Sequence, residues 1–234
     1  MPRYNKFYSL RPNRTCDSVP LESFIWKDYH HVRAAIAHRD GEEVGLLWLM
    51  GEEERPFSAM PLCKEEDLAY CFNLMVDYFN QELHRPLKIM LADEEGVLAL
   101  KPDERKFLVR EDVVARDYLY EGEKLRTLAG KKLHKKKNHY NNFLKNYEGR
   151  YEYQDLSCAC NVREAIFGFL DKWRESKGED VEKHLDPEVE GIHEILQNCQ
   201  LLKIRMGGIY IDGALEAFSI GSFNPLENMA VIHI

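Results

Sequence analysis

The feature that most constrains this chain is a strongly basic segment at residues 124–150. It contains nine Lys or Arg residues and a single acid, Glu148, which gives it a net charge of +8. The whole chain has 32 Lys and Arg against 40 Asp and Glu, so its net charge is −8 and the remaining residues sum to −16. A charge distribution polarised in this way attracts a polyanion to one place and repels it elsewhere. Nucleic acid, a phosphorylated cofactor and an anionic lipid headgroup are the candidate ligands.

The periodicity of the same segment predicts a helix that ends at Gly149. The apolar side of its helical wheel is formed by Leu133, Tyr140, Phe143, Leu144 and Tyr147. Lysines cover most of the remaining circumference. Because like-charged lysines repel one another, we expect the helix to gain its stability by packing Leu133, Tyr140 and Phe143 against the protein.

Length and composition indicate a globular protein. A chain of 234 residues allows one large domain or two small ones, and 44% hydrophobic residues can build a core. No apolar run approaches the roughly 20 residues needed to cross a bilayer, and the N-terminal residues lack a secretory-signal pattern. These observations predict a cytoplasmic protein without integral membrane association.

The cysteines and histidines do not indicate a metal site. Six cysteines are scattered along the chain, and the close pair Cys158 and Cys160 has no second pair at zinc-site spacing. The histidine pairs His30/His31 and His134/His139 lack the i, i+4 spacing of a helical metal site. We therefore expect reduced thiols and no bound metal.

The first half of the chain is predicted to contain a hairpin followed by a helix. Two apolar runs flank Asp40-Gly41 within residues 34–50, which is typical of a β-hairpin. Residues 64–83 show helical periodicity and stop before Pro86. The apolar stripe of that helix consists of Leu68, Cys71, Phe72, Met75 and Phe79. Further short elements are predicted at residues 87–91, 104–114 and 117–120.

The second half is predicted to contain two helices and a second hairpin. One helix begins with Asn161 as N-cap and is interrupted at residues 177–180, and another begins at Asp186-Pro187. Their predicted buried residues are Ile166, Phe169, Leu170, Trp173, Ile192, Ile195, Leu196 and Cys199. Strands are predicted at residues 201–206, 209–220 and 229–234. The second hairpin turns at Asp212-Gly213 and repeats the turn chemistry of Asp40-Gly41, which suggests an internal duplication.

Motifs spread over nearly the whole chain also carry a family resemblance. They lie at residues 117–120 (DYLY), 130–139 (GKKLHKKKNH), 211–213 (IDG), 217–221 (AFSIG) and 233–234 (HI). Together they resemble a bacterial group that is similar to the C-terminal domain of phosphatidylglycerol lysyltransferase. The better-known relatives move an aminoacyl group from aminoacyl-tRNA to a lipid or to a peptidoglycan precursor.

The resemblance implies an α+β (α/β) fold of two GNAT-like acyltransferase domains in tandem, each with a mixed central sheet flanked by helices. Residues 1–110 would form the N-terminal domain, 111–150 a basic helical connector, and 151–234 a C-terminal domain whose last strands and helices are missing. The pyrophosphate loop of the wider superfamily, Arg/Gln-x-x-Gly-x-Gly/Ala, does not occur in the sequence. The large membrane-spanning portion of the lysyltransferase is also absent, which argues against a lipid acceptor.

The basic segment supplies most of the candidate substrate-binding residues. These are Lys131, Lys132, His134, Lys135, Lys136, Lys137 and Asn138, together with Tyr118 and Tyr120. Lysines suit phosphate contacts, which depend on charge more than on shape. The donor would be aminoacyl-tRNA or acyl-CoA, and no other cofactor is indicated. The alternative for the lysines is a solvated face, and for the tyrosines it is ordinary packing.

Two residues are candidates for a catalytic base. His139 titrates near neutrality, although it could merely add to the basic surface. Glu216 interrupts an apolar strand, and strand alternation places it on one face with Phe218 and Ile220. A cleft there would raise its pKa, as a base requires, and the alternative is an exposed position on the sheet. No Ser-His-Asp or Cys-His arrangement occurs at a known spacing, so a covalent nucleophile is not expected.

The sequence therefore predicts a cytoplasmic acyl- or aminoacyltransferase. It would transfer the group directly from aminoacyl-tRNA or acyl-CoA to an amine or hydroxyl, without a metal or a covalent intermediate. The alternative is a non-catalytic module that binds RNA or another polyanion through residues 131–139.

Overall fold

The protein has a mixed α+β fold, as the sequence predicts. The structure is a computed structural model that describes residues 3–177 and 182–234, with side chains for residues 3–176 and 187–234. Within these residues the chain forms seven α-helices, nine strands and several short helical turns.

The first half combines two small sheets with three helices. Its elements are α1 Pro20–Ile25, β1 Arg33–Arg39, β2 Glu42–Leu49, β3 Ser58–Ala59, β4 Leu62–Cys63, α2 Glu65–Asp77, β5 Ile89–Leu91 and α3 Glu94–Leu100. Strands β1, β2 and β4 form an antiparallel sheet, while β3 pairs in parallel with β5. Helix α2 continues into a π-helical turn, Tyr78–Glu82, and its predicted apolar stripe is buried.

The second half is built around one four-stranded antiparallel sheet. Its elements are α4 Gly122–Thr127, α5 His134–Asn146, β6 Tyr151–Leu156, α6 Cys160–Lys177, α7 Glu182–Gln197, β7 Arg205–Ile211, β8 Ala214–Asn224 and β9 Met229–Ile232. The strands lie in the order β6-β7-β8-β9. Helices α6 and α7 supply the predicted residues Ile166, Leu170, Ile192 and Ile195 to the core on one face of this sheet.

Both predicted Asp-Gly hairpins are confirmed, and they share one geometry. Asp40 and Gly41 have φ values of 53° and 85°, and Asp212 and Gly213 have 51° and 85°. Two successive residues with positive φ form a type I′ turn, which matches the twist of the flanking strands. In each hairpin the pairing shifts by one residue at the same distance from the turn. The extra residues of these β-bulges are Val44 and Glu216, which occupy equivalent positions in the two hairpins.

Several predicted boundaries were wrong. No strand forms at residues 104–114, where the chain makes turns and Val113 and Val114 are exposed, nor at 117–120. Strand β7 begins at Arg205 rather than residue 201, because residues 201–203 form a turn after α7. Helix α6 already includes Cys160 and Asn161, so Asn161 is not its cap, and α7 begins before Pro187. The predicted interruption at residues 177–180 falls largely outside the described residues.

Two of the cysteines are paired, contrary to the expectation of reduced thiols throughout. Cys158 and Cys199 form a disulfide with a Cα–Cα distance of 6.1 Å. Their wide separation in the chain hides this pairing in the sequence, since it arises only when α6 and α7 fold back onto the sheet.

The core of the second half includes a helix from the first half. Leu21 and Ile25 of α1 are buried together with Ile192, Ile195 and Ile220. Helix α1 approaches α7 so closely that a Cβ atom built on Gly191 would lie 2.8 Å from Ile25 Cγ2 and 2.9 Å from the Ile25 carbonyl oxygen. The hydrophobic core thus joins residues 20–25 to the C-terminal sheet.

Among the residues that the structure describes, no helix is both long and apolar enough to cross a bilayer.

Substitution of Gly191 should test the contact between α1 and α7. Alanine normally favours a helix over glycine by about 1 kcal/mol, but at this position its methyl group would meet the Ile25 backbone. We expect Gly191→Ala to lower the free energy of unfolding by roughly 1–3 kcal/mol, as overpacking does. Chemical denaturation with urea measures the change.

Gly168 of α6 provides the matched control. A Cβ atom built there has no neighbour within 4 Å among the described atoms, so Gly168→Ala should raise the free energy of unfolding by about 0.5–1 kcal/mol. If the two substitutions had equal effects, the close approach of α1 to α7 would be wrong.

Candidate active site

The basic residues lie on an exposed helix at the entry to the C-terminal sheet. Lys131 and Lys132 form a short 3-10 turn, and His134 to Asn138 begin α5. All seven binding candidates from this segment are exposed. The helix contacts the sheet through Phe143, whose ring centroid lies 5.1 Å from that of Tyr151 on β6.

The predicted packing of the apolar side of this helix is only partly present. Leu133 and Phe143 are partly buried, but Tyr140 remains 53% exposed, and α5 contains no fully buried residue. The prediction was wrong for Tyr140, and the described ring contact of α5 with the sheet lies at Phe143, near the C-terminal end of the helix. This leaves the N-terminal turns of the helix open to solvent.

The lysines of α5 and of the preceding 3-10 turn differ from the other basic residues of the segment in their pairing. Lys124 binds Glu121, the N-cap residue of α4, Arg126 binds Glu123 within α4, and Arg150 binds Asp212. By contrast, the five lysines between 131 and 137 form no ion pair with any residue that the structure describes. The segment therefore concentrates uncompensated positive charge on one exposed turn and helix.

The start of α5 adds its own positive potential. Its N-cap is Leu133, which supplies no side-chain hydrogen bond, and no acid lies in the first turn. The preceding 3-10 turn already uses the His134 amide, which donates to the Lys131 carbonyl. The helix dipole still favours an anion at this end, whereas lysines there oppose the dipole. This arrangement is suited to binding phosphate groups.

Tyr118 and Tyr120 are exposed rather than packed in a core. Tyr118 is 88% exposed, and the two rings stack with centroids 6.5 Å apart. The preceding residue, Asp117, holds this segment in place by accepting a hydrogen bond from the Cys16 amide at 2.8 Å. The tyrosines thus project from the surface beside the N-terminal residues 16–17.

Of the two environments predicted for Glu216, a cleft and an exposed position on the sheet, the structure shows the exposed position. Glu216 is the extra residue of the bulge in β8, so the alternation that should have grouped it with Phe218 and Ile220 is broken. Leu215, Phe218 and Ile220 contribute to the core instead, and Glu216 is exposed. His139 is also exposed, on α5. Neither residue lies in a described cleft.

An open cavity of about 350 Å³ lies where α5 leads into the sheet. Its lining consists of Gly149, Arg150, Tyr151, Glu152, Gln154, Tyr210 and Gly213. The Arg150 side chain is held on two sides, by its pair with Asp212, with Nε 3.0 Å from Oδ1, and by the ring of Tyr147. The cavity is therefore polar and lies at the C-terminal end of the basic helix.

A second polar arrangement, absent from the sequence predictions, links the two ends of the chain. His233 Nδ1 lies 2.6 Å from Glu22 Oε2, and His233 Nε2 lies 2.9 Å from Ser222 Oγ. Glu22 is fixed further by Trp26, whose Nε1 donates to Oε1 at 2.8 Å. We call Ser222, His233 and Glu22 the relay. Its geometry is that of a hydroxyl, an imidazole and a carboxylate joined in series.

Further acids surround the carboxylate end of the relay. Burial raises the pKa of Asp17 to about 7, and the negative charges of Glu22 and Asp117 act in the same direction. Burial and the same three carboxylates raise the pKa of the Cys16 thiol, which keeps it protonated and unreactive. The region is therefore negatively polarised, in contrast to the basic helix.

The relay could not be found from sequence spacing. Glu22 lies near the start of the chain and Ser222 and His233 near its end, an order and spacing that match no known triad motif. A local signal was the polar pair Ser222 and His233, which interrupts two otherwise apolar strand segments. Pairing of β8 with β9 and docking of α1 bring the three side chains together.

Comparison with known proteins identifies the family. Residues 12–234 match the family described as "Phosphatidylglycerol lysyltransferase, C-terminal". The chain belongs to this family. The resemblance inferred from residues 117–139 and 211–234 is thereby confirmed. No curated protein matches the chain significantly.

One solved structure shares the fold. It is described as a conserved protein of unknown function from Bacteroides thetaiotaomicron, and it is 22% identical. The match has a TM-score of 0.79 and covers 95% of this chain and 72% of the other. This similarity supports the arrangement of helices and sheets described above.

Asp17 should make the stability of the protein depend on pH. Its pKa is higher in the folded chain than its ordinary value of 3.8, so the folded state holds the proton more tightly. The stabilisation is complete below about pH 4 and is lost as the pH rises towards about 7. The side chain of Asp17→Asn is neutral at both pH values, so we expect the Tm of this variant to fall less than that of wild type between pH 5 and pH 8. Each kcal/mol of unfolding free energy that is retained corresponds to roughly 2–4 °C in Tm.

Calorimetry of wild type and variant at both pH values measures this difference. Asp171→Asn, at an exposed position of α6, is the control and should leave the pH dependence unchanged. Equal pH dependence in wild type and Asp17→Asn would show that the surroundings of Asp17 do not raise its pKa.

Proposed function

We propose that this protein is an acyl- or aminoacyltransferase that acts in the cytoplasm. Membership of the lysyltransferase family over residues 12–234 is the observation that carries this proposal. The group would pass directly from an aminoacyl-tRNA or an acyl-CoA to an amine or a hydroxyl. Both donors are polyanions, and the family assignment favours a transferase over a module that only binds RNA.

The basic helix is the proposed docking surface for the donor. Five lysines without acidic partners in the described structure lie on the turn and helix that start at residue 131, and no acid lies in the first turn of α5. The backbone phosphates of a tRNA acceptor stem, or the phosphates of coenzyme A, are negatively charged and would neutralise the positive charge of this surface. The cavity at the other end of α5 lies within reach of a donor bound along the helix.

The proposed architecture is two GNAT-like domains, at residues 1–110 and 151–234, joined by the connector at 111–150. The support is the repeated hairpin, which has the same turn conformation and the same bulge in both copies. In each copy a third antiparallel strand pairs with the second strand of the hairpin. Such repetition of irregular features is typical of duplicated units.

Direct transfer needs a base to deprotonate the acceptor and a partner for the tetrahedral oxyanion. Glu216 and His139 remain the sequence-derived candidates for this base, both exposed and on different elements. If either acts as the base, Glu216→Gln or His139→Ala will abolish turnover and leave donor binding intact.

Neutralising the lysines of α5 should weaken donor binding in a salt-dependent way. We expect the triple substitution Lys135→Ala, Lys136→Ala, Lys137→Ala to raise Kd at low salt and to reduce the slope of log Kd against log salt by roughly 2–3, since each lost phosphate contact contributes about 0.7–0.9. Fluorescence anisotropy with aminoacyl-tRNA, uncharged tRNA and acetyl-CoA at several salt concentrations measures both quantities.

A control with the same change of charge uses Lys88, Lys106 and Lys203, which are exposed elsewhere. Substitution of these three lysines by alanine should leave the slope of log Kd against log salt close to that of wild type. A preference for charged over uncharged tRNA would support aminoacyl transfer, and binding of acetyl-CoA alone would make the donor a thioester. If neither lysine set changed affinity, the docking surface would be wrong.

A further inference from the structure

The proposed function assigns no role to the three residues of the relay. Ser222, His233 and Glu22 are connected by hydrogen bonds of 2.9 Å and 2.6 Å, and they come from β8, from the segment after β9 and from α1. We propose that Ser222 is the catalytic hydroxyl that takes the proton of the acceptor substrate, with His233 as its base and Glu22 as a positioning residue. This inference rests on the proposed acyl transfer and assigns the proton-accepting group within it.

The hydrogen bonds fix the direction in which the proton moves. An ionised Glu22 carboxylate can only accept, so the hydrogen on the neutral imidazole lies on Nδ1 and points to Oε2. Nε2 then carries the lone pair, and at 2.9 Å it accepts the hydrogen of the Ser222 hydroxyl. Trp26 occupies the other oxygen of Glu22 at 2.8 Å, which prevents the carboxylate from turning away.

The exposure of the three groups separates their roles. The His233 side chain is completely buried, and the Glu22 side chain is 18% exposed, whereas Ser222 is only partly buried. Because the imidazole is enclosed, a substrate would have to reach the relay through Ser222. Burial also shields the imidazole from water, so its hydrogen bonds to Glu22 and Ser222 are stronger than in solvent.

The transfer step balances with these groups alone. The nitrogen or oxygen of the acceptor attacks the carbonyl carbon of the donor ester or thioester, and its proton passes to Ser222 Oγ while the Ser222 proton passes to His233 Nε2. The new C–N or C–O bond forms and the C–O or C–S bond to the donor breaks. The proton on His233 then returns through Ser222 to the departing oxygen or sulfur, and Glu22 stabilises the imidazolium in between.

The neighbouring charges favour this cycle. Asp17 and Asp117 interact electrostatically with each other, and Asp17 also interacts with Glu22. Negative charge beside Glu22 stabilises an imidazolium. An amine acceptor attacks in its neutral form, because an ammonium has no lone pair, and the relay then takes the single proton that the new bond releases. The anionic donor is attracted elsewhere, to the lysines of α5.

The reactivity of Ser222 can be tested without knowing the donor. A hydroxyl that gives its proton to an imidazole is a nucleophile at neutral pH, so the full chain is treated with diisopropyl fluorophosphate and followed by intact mass and peptide mapping. The Ser222 oxygen displaces fluoride from phosphorus and its proton passes to His233. We expect one adduct, on Ser222, and none in Ser222→Ala.

The partner substitutions separate a working relay from a structural contact. His233→Asn should slow labelling by at least about 100-fold, the lower range for loss of a general base. Glu22→Gln should slow it at least tenfold, and Glu22→Asp, which keeps the charge, should recover part of the rate. Ser219→Ala is the matched control, because Ser219 lies on the other face of β8, and it should label at the wild-type rate. Circular dichroism checks that each variant is folded. If His233→Asn does not fold, the labelling rate of Glu22→Gln decides the test.

The outcomes distinguish this inference from the proposed function. A wild-type protein without an adduct on Ser222, or equal labelling in folded Glu22→Gln, overturns the relay. Labelling that depends on His233 and Glu22 supports the relay even if no group is transferred from aminoacyl-tRNA or acetyl-CoA, in which case the proposed donor fails. If transfer occurs and Ser222→Ala retains the wild-type kcat, the relay is wrong and the transferase assignment stands.

Discussion

The packing of α1 against the C-terminal sheet is the constraint on which the candidate chemistry depends. Leu21 and Ile25 are buried among residues of α7 and β8, and burial of two such side chains contributes about 3–6 kcal/mol. Glu22 lies between them on the same short helix. The hydrophobic contact therefore sets the position of a carboxylate, and a helix too short to be stable alone becomes a rigid support for it.

Strand irregularities decide which side chains of β8 face the core. The bulge at Glu216 changes the alternation, so that Leu215, Phe218 and Ile220 all face the helices and Ser222 follows on that face. Without the extra residue, Leu215 would point to the other side. The equivalent bulge at Val44 stands in a strand without a comparable polar pair. The same hairpin geometry thus serves only packing in the first hairpin, whereas in the second it also places Ser222 on the face that contacts α1.

Local signals in the sequence predicted much of the fold. The Asp-Gly turns and the apolar periodicity of α2 and α7 depend on residues close in the chain, and these predictions are confirmed, as is the family. The bulge, the Cys158–Cys199 pair and the relay depend on contacts between distant residues, which periodicity does not encode. Glu216 was grouped with Phe218 and Ile220 on one face because strict alternation was assumed through a bulge, whereas the alternative of an exposed position is the one that forms. Tyr140 was assigned to a packed face, although the described ring contact of α5 with the sheet lies at Phe143.

Charge separation gives the two candidate regions different tasks. The lysines at 131–137 lack acidic partners in the described structure, while Asp17, Glu22 and Asp117 cluster at the other region with a raised pKa at Asp17. Two fields of opposite sign at one location would largely cancel, whereas separated fields can each hold a substrate of its own sign. An anionic donor bound along α5 and an acceptor bound near the relay would then each lie in a field of their own. Under the proposed function, this division would let a chain with a net charge of −8 attract a polyanionic donor to one part of its surface.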